Sequence, residues 1–237
     1  MFETTKGENV HNQILFSSNE ELFMWTYEKS LEIRKIITYY KCAVKEVATK
    51  FEVLDEEYSL LNDRNPINGI QTRIKSIPSI MEKLERKGFE VSPESLETKL
   101  NDVAGVRVIC SFKEDVYKLA DAFLMQDDVT LVEKKDYIKN PKPNGYRSLH
   151  LIVEIPIFLE KEKKMMKVEI QLRTLAMDCW ASLEHQLRYK KGKEFNEEKQ
   201  ETLYKCAELS RELDSEMDRL RRECNIYKSM LNTKFSR

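Results

Sequence analysis

Glycine and proline are scarce in this 237-residue chain, six of each, which excludes a collagen-like, linker-rich or low-complexity molecule. Histidine occurs only at His11, His150 and His185, too few for a multi-histidine hydrolytic metal site. The five cysteines, Cys42, Cys110, Cys179, Cys206 and Cys224, form no Cys-x-x-Cys pair. Their odd number and wide spacing argue against a zinc site or a disulfide framework and fit small apolar residues in a reducing compartment. No apolar run approaches the roughly 18 residues of a membrane helix, and the first residues show no basic segment followed by an apolar one. A soluble, cytoplasmic chain with no membrane partner is therefore expected. Gly-x-x-x-x-Gly-Lys-Ser/Thr and Gly-x-Gly-x-x-Gly are both missing, which speaks against P-loop ATPases, dinucleotide folds and protein kinases. Neither charge sign dominates: the net charge is −1, so a globally basic nucleic-acid binder is disfavoured while local basic patches remain open.

What is present is strongly patterned. Hydrophobic residues make up 41% of the chain, enough for one substantial core. Helical periodicity covers 19–61 through Leu22, Trp25, Leu31, Ile36, Val44, Val47, Phe51 and Leu54, with a break expected within 39–43. Asn65-Pro66-Ile67-Asn68-Gly69 reads as a turn. Strands are expected over 70–75, 106–112, 129–137, 147–155 and 165–172. Helices are expected over 76–87, 92–100, 114–125, 174–189 and 197–227. The order gives an α+β fold, a mixed β-sheet of about five strands flanked by helices, with helical N- and C-terminal extensions. Residues 1–18 lack periodicity and should be loosely ordered. Residues 19–190 read as one domain, and Gly192 marks a break before a helical extension, 191–237. The stripe Leu203, Cys206, Leu209, Leu213, Met217 and Leu220 must pack somewhere, on the core or on a partner.

Several polar positions sit where a core is expected. Asp102 and Glu169 each stand in an apolar, β-branched setting, where an ionised carboxylate is costly without a partner or a metal. Asp102 suits Mg²⁺, which is content with one or two carboxylates, or a structural pair with Arg107. Glu169, Gln171 and Arg173 share one strand face, and Glu169 fits a general base or a second metal ligand. Arg73 and Lys75 also share a face, next to a helix start capped by Ser76, with Lys83 in that helix; this is an anion site or a solvated basic edge. The segment 134–150 surrounds a Pro/Asn/Gly loop with Lys134, Lys139, Lys142, Arg147 and two tyrosines. Tyr146 there can stack a base, or the loop is an ordinary basic hairpin. Trp180 and Leu183 read as core.

Together these segments resemble the synthetase domain of RelA/SpoT-type alarmone synthetases over roughly 27–189. The motifs are Arg73-Ile-Lys-Ser with Ser79-Ile-x-x-Lys83, Asp102-Val-Ala-Gly-Val-Arg107, the run from Asp136 to His150, Val168-Glu-Ile-Gln-Leu-Arg-Thr, and Trp180-Ala-x-x-Glu184-His185. The resemblance implies a nucleotidyltransferase-like synthetase domain of a small, stand-alone enzyme. Such an enzyme moves the β,γ-diphosphate of ATP to the 3′-hydroxyl of GDP or GTP, and has no hydrolase activity. By motif, Arg73, Lys75, Ser79, Lys83 and Arg107 are expected at ATP. Lys134, Lys139, Lys142, Asn144, Tyr146, His150, Gln171 and Arg173 are expected at GDP or GTP. Asp102 and Glu169 are expected to be catalytic and to hold Mg²⁺. The resemblance also implies a homotetramer built through the flanking helices, and leaves RNA or the alarmone itself open as regulators. Two readings from other classes compete: a nucleotide- or RNA-binding regulator without turnover, for which paired carboxylates have no purpose, and an oligomeric scaffold, which leaves the polar strand faces unexplained.

Overall fold

The computed structural model describes residues 19–62, 64–189 and 196–235. The N-terminal segment expected to be loosely ordered and the break expected at Gly192 fall outside them. Five strands form one sheet in the order β1 (Ile67–Ile74), β2 (Ala104–Cys110), β5 (Lys163–Thr174), β4 (Leu149–Phe158), β3 (Thr130–Asp136). β2 and β5 run parallel; the other neighbours are antiparallel.

The back of the sheet is apolar by simple alternation. Ile70, Val108, Leu172 and Leu149 form one row across four strands, and Val106, Ile170 and Leu151 continue the next. Helix α1 (Asn19–Asn62) lays Ile36, Tyr40, Val44, Val47, Phe51 and Leu54 against this face. α4 (Lys113–Leu124) adds Val116, Leu119, Ala120 and Phe123, with Phe123 stacked on Phe51 at 4.6 Å. α1 has no break at 39–43, because Tyr39, Tyr40 and Ala43 belong to its buried stripe and hold the helix to the core there. The expected turn at Ile67-Asn68-Gly69 is instead the irregular start of β1, where the register shifts against β2.

α2 (Ile77–Arg86) and α3 (Pro93–Lys99) start as their sequences dictate. Ser76 and Ser92 are N-caps whose hydroxyls accept from the amides of Ser79 and Ser95, and a proline sits in each first turn. α5 (Leu175–Tyr189) leaves the end of β5, and α6 (Glu197–Phe235) packs back against it. Trp180, Ala181, Leu203 and Ala207 form a second, small core between them. Leu183, expected in the core, is 53% exposed. α6 is anchored again farther along, where Arg221 pairs with Glu114 and lies over Phe112, whose ring also faces Arg64.

Candidate active site

The front of the sheet carries polar residues in two adjacent rows, each crossing all five strands. One row is Gln71, Arg107, Gln171, His150 and Lys135; the next is Arg73, Gly105, Glu169, Ile152 and Glu133. The register makes this assembly: five short sequence stretches, far apart along the chain, meet because period 2 puts them on one face. Two clefts open along these rows. One is lined by Gln71, Arg73, Gly105, Arg107 and Gln171. The other is lined by Glu133, Lys135, Tyr137, Lys142, His150 and Glu169. The strand carrying Glu169 and Gln171 divides them.

In the first cleft Gly105 leaves open the space between two arginines. A Cβ there would approach Arg73 Nε to 3.3 Å. Arg107 donates to Gln71 Oε1 (3.2 Å) and pairs with Asp178 (3.2 Å), while its buried Nε has no hydrogen-bond partner. At the end of β1 nearer α2, Lys75 and Lys83 converge on one oxygen of Asp102, at 2.7 and 2.6 Å. Burial alone would push the Asp102 carboxyl up, but the two ammonium groups outweigh it and hold it below the ordinary carboxylate value. Its other oxygen, Oδ1, is buried with no partner. Lys83 lies in the last turn of α2, so it acts through its reach to Asp102 rather than through the helix start. Ser79 stands in the first turn of α2, bonded to Ser76 and exposed.

In the second cleft a chain of hydrogen bonds leads to Glu169. Arg173 donates to Tyr146 Oη (2.6 Å), Tyr146 Oη lies 2.8 Å from His150 Nε2, and His150 Nδ1 lies 3.4 Å from Glu169 Oε1. Gln171 donates to the other Glu169 oxygen (3.0 Å). Burial raises the Glu169 carboxyl, but His150 and Gln171 outweigh it, and the group sits below its ordinary value. Glu169 is therefore ionised at neutral pH, poised between the clefts and within electrostatic reach of Asp102. Arg173 is buried and fully engaged with Tyr146, Gln171, Ser148 and Asp178, so it orients its neighbours rather than meeting solvent.

Not every expected residue arrives. Lys134 pairs with Leu151 and so lies on the opposite side of β3 from the cleft; Lys135, across from His150, takes the inward position. Lys139 is 71% exposed in its side chain and reaches Tyr117 and Asp136, outside the cleft lining. Asn144 is engaged locally: it accepts from the Tyr146 amide (3.2 Å) and donates to Glu184 (3.4 Å). Lys142 lies over both Tyr137 and Tyr146, at 4.7 and 4.8 Å from the ring centres. Tyr137, Lys135 and Gln71 were not singled out from sequence, although period-2 spacing from Arg73 reaches Gln71. Asp178, in the first turn of α5, has no sequence signal; the fold alone brings it to Arg107 and Arg173.

Residues 72–194 match the family described as the region found in RelA / SpoT proteins. The chain belongs to the RelA/SpoT family. Among relatives, the GTP pyrophosphokinase YwaC of Bacillus subtilis is 43% identical over 184 residues, 78% of this chain and 88% of its own. The GTP pyrophosphokinase YjbM of the same organism is 35% identical over 80% of this chain and 88% of its own. Among solved RelA/SpoT-family structures, small alarmone synthetase 1 from Bacillus subtilis bound to its product pppGpp superposes with a TM-score of 0.74 at 35% identity, covering 80% of this chain and 96% of that one. A GTP pyrophosphokinase family protein from Streptococcus pneumoniae gives 0.76 at 34% identity, covering 84% of this chain and 98% of that one.

Proposed function

We propose that this chain is a GTP pyrophosphokinase that transfers the β,γ-diphosphate of ATP to the 3′-hydroxyl of GDP or GTP. The observation that carries the reading is the position of Glu169: one ionised carboxylate on the strand between two clefts rich in cations and planar groups. Relatives named for this activity, and a neighbour holding pppGpp as its product, support it.

The cleft between Arg73 and Arg107 takes the adenine of ATP, since guanidinium planes favour aromatic faces. Lys75 and Lys83 take its phosphates. The cleft at Tyr137, Lys142 and Tyr146 takes the guanine nucleotide, with Lys142 moving aside for the base. The 3′-oxygen then attacks the β-phosphorus, the bond from that phosphorus to the bridging α,β-oxygen breaks, and AMP leaves with that oxygen. Glu169 receives the hydroxyl proton, while His150 and Gln171 keep its carboxylate aimed. Such transfer needs chiefly positioning and charge neutralisation, which side chains of these types supply.

The residues fit Mg²⁺. Among the described residues no group of three or more His, Cys, Asp or Glu could hold a metal by itself. Mg²⁺ commonly takes one or two carboxylates and completes its shell with phosphates and water, and Asp102 offers a buried, unpartnered oxygen. Asp102, with Glu169 as a second ligand, would hold it, and the ion would neutralise charge on the transferred group. The reading puts the activity in the cytoplasm, where ATP and guanine nucleotides are available. No described helix is long and apolar enough to cross a membrane. Exposed Leu209, Leu213, Met217 and Leu220 on α6 support self-association, and the family resemblance implies a homotetramer.

The test is Glu169→Gln. It keeps the size but removes the base, exchanging one accepting oxygen for a donor. With ATP and GDP, wild type should yield a tetraphosphate with equimolar AMP, and the variant should bind both nucleotides yet lose roughly 10²–10⁴ in turnover. Because the Glu169 carboxyl is depressed, activity should hold as pH falls until below about 4.3, the usual glutamate value, within the range where the fold persists. Full turnover in Glu169→Gln would remove Glu169 from the chemistry.

A further inference from the structure

Helix α6 lines neither cleft, yet it touches three consecutive residues of the loop that leads into the second one. At Gly145 the contact is steric. The residue has φ +87°, and a Cβ on it would lie 2.4 Å from the Cβ of Ala207. The loop can pass α6 at this distance only because position 145 carries no side chain and position 207 a small one. At Tyr146 the contact is apolar: the ring packs on the cluster of Trp180, Ala181, Leu203 and Ala207, and Trp180 Nε1 donates to the Leu203 carbonyl (3.0 Å). At Arg147 it is polar. This arginine is only 6% exposed, donates to Ser210 Oγ (3.1 Å) and faces Asp214 at 3.5 Å. Asp214, 9% exposed, accepts from Thr174 Oγ1 (2.9 Å), and Ser210 donates to the Ala176 carbonyl (3.0 Å).

The inward face of α6 is thus small at Gly145 and polar at Arg147, while Leu209, Leu213, Met217 and Leu220 point away. A buried arginine–aspartate pair is a poor source of stability but a strict one of geometry, since either partner left alone would be a buried, uncompensated charge. From Tyr146 the hydrogen bonds run on through His150 to Glu169.

We propose that α6 is the positioning element of the acceptor-nucleotide subsite, with Ala207 and Asp214 as the positioning residues that set Tyr146. The inference rests on the reading that the Tyr146 loop receives GDP or GTP. It separates the two substrates: α6 has no corresponding hold on Arg73, Lys75 or Arg107 among its described contacts.

Three variants test it, with Ala207→Ser as a control. Ala207→Val adds volume against Gly145, Asp214→Asn removes the charge facing Arg147, and Tyr146→Ala removes the ring itself. For each, KM is measured for GDP and for ATP separately, alongside thermal melting. Ala207→Val and Asp214→Asn should raise the GDP KM on the order of tenfold, as partial loss of stacking would, and leave the ATP KM within about twofold. Ala207→Ser, which keeps the side chain small, should restore wild-type behaviour. An unchanged GDP KM in both Ala207→Val and Asp214→Asn, or equal rises for both substrates, would overturn the role of α6. If Tyr146→Ala itself spares the GDP KM, the assignment of the loop to the acceptor nucleotide falls instead.

Discussion

Asp102 uses one oxygen for two lysines and leaves the other buried and unbonded. Taking away its charge should act in two directions at once. In Asp102→Asn, Lys75 and Lys83 lose their internal counterion, so metal-free ATP should bind more tightly than to wild type, while Mg²⁺-dependent turnover falls; a metal titration of binding and of rate reads both. An unchanged response to Mg²⁺ would reject Asp102 as a ligand. Residues of this kind were legible in the sequence because a carboxylate among β-branched residues is conspicuous. Lys134 and Lys135 show the opposite case: adjacent and identical, they are told apart only by the strand register, which shifts between Leu131 and Glu133 and cannot be read along one strand. Asp178 is further still from legibility, since nothing local distinguishes it from any acidic residue in a helix's first turn.

At the scale of elements, periodicity located every strand and helix among the described residues and erred where tertiary contacts decide. α1 continues through 39–43 because the core holds both tyrosines. The start of β1 reads as a turn because Pro, Asn and Gly are shared by turns and irregular strand ends. On α6 the apolar stripe was legible, but not that only Leu203 of it meets the domain, with Ala207, Ser210 and Asp214 making the contacts beyond. The pairing of β1 with β2 carries its own test. Gly105 lies opposite Arg73, so Gly105→Ala should crowd the arginine's flexible stem rather than backbone. Stability should hardly change, whereas the ATP KM should rise several-fold with the GDP KM unmoved. A rise confined to GDP would mean the first cleft is not the ATP side.

For the molecule as a whole, the α+β class and the five-strand sheet follow from the sequence, but the strand order does not, because the pairing of β2 with β5 joins segments some sixty residues apart. That parallel pairing sets the two clefts side by side. The proposed assembly is tested on the outward stripe of α6, where Leu209, Leu213, Met217 and Leu220 are about half exposed or more. Replacing Leu213 and Leu220 by glutamate adds charge to a face that no described contact buries, so the fold should survive and ATP binding should persist. The sedimentation coefficient should drop toward that of a monomer. An unchanged value would exclude the stripe from the interface.

On the proposed reading, the shared oxygen of Asp102 would make the ATP side behave as a coincidence detector. An anion arriving alone satisfies the two lysines and strands the carboxylate. A cation arriving alone satisfies the free carboxylate oxygen but is repelled by the two lysines on the other. Only a ligand that brings both signs together, in one visit, would leave no charge without a counterpart, so selection on this reading would begin with a sum of charges before shape enters at all.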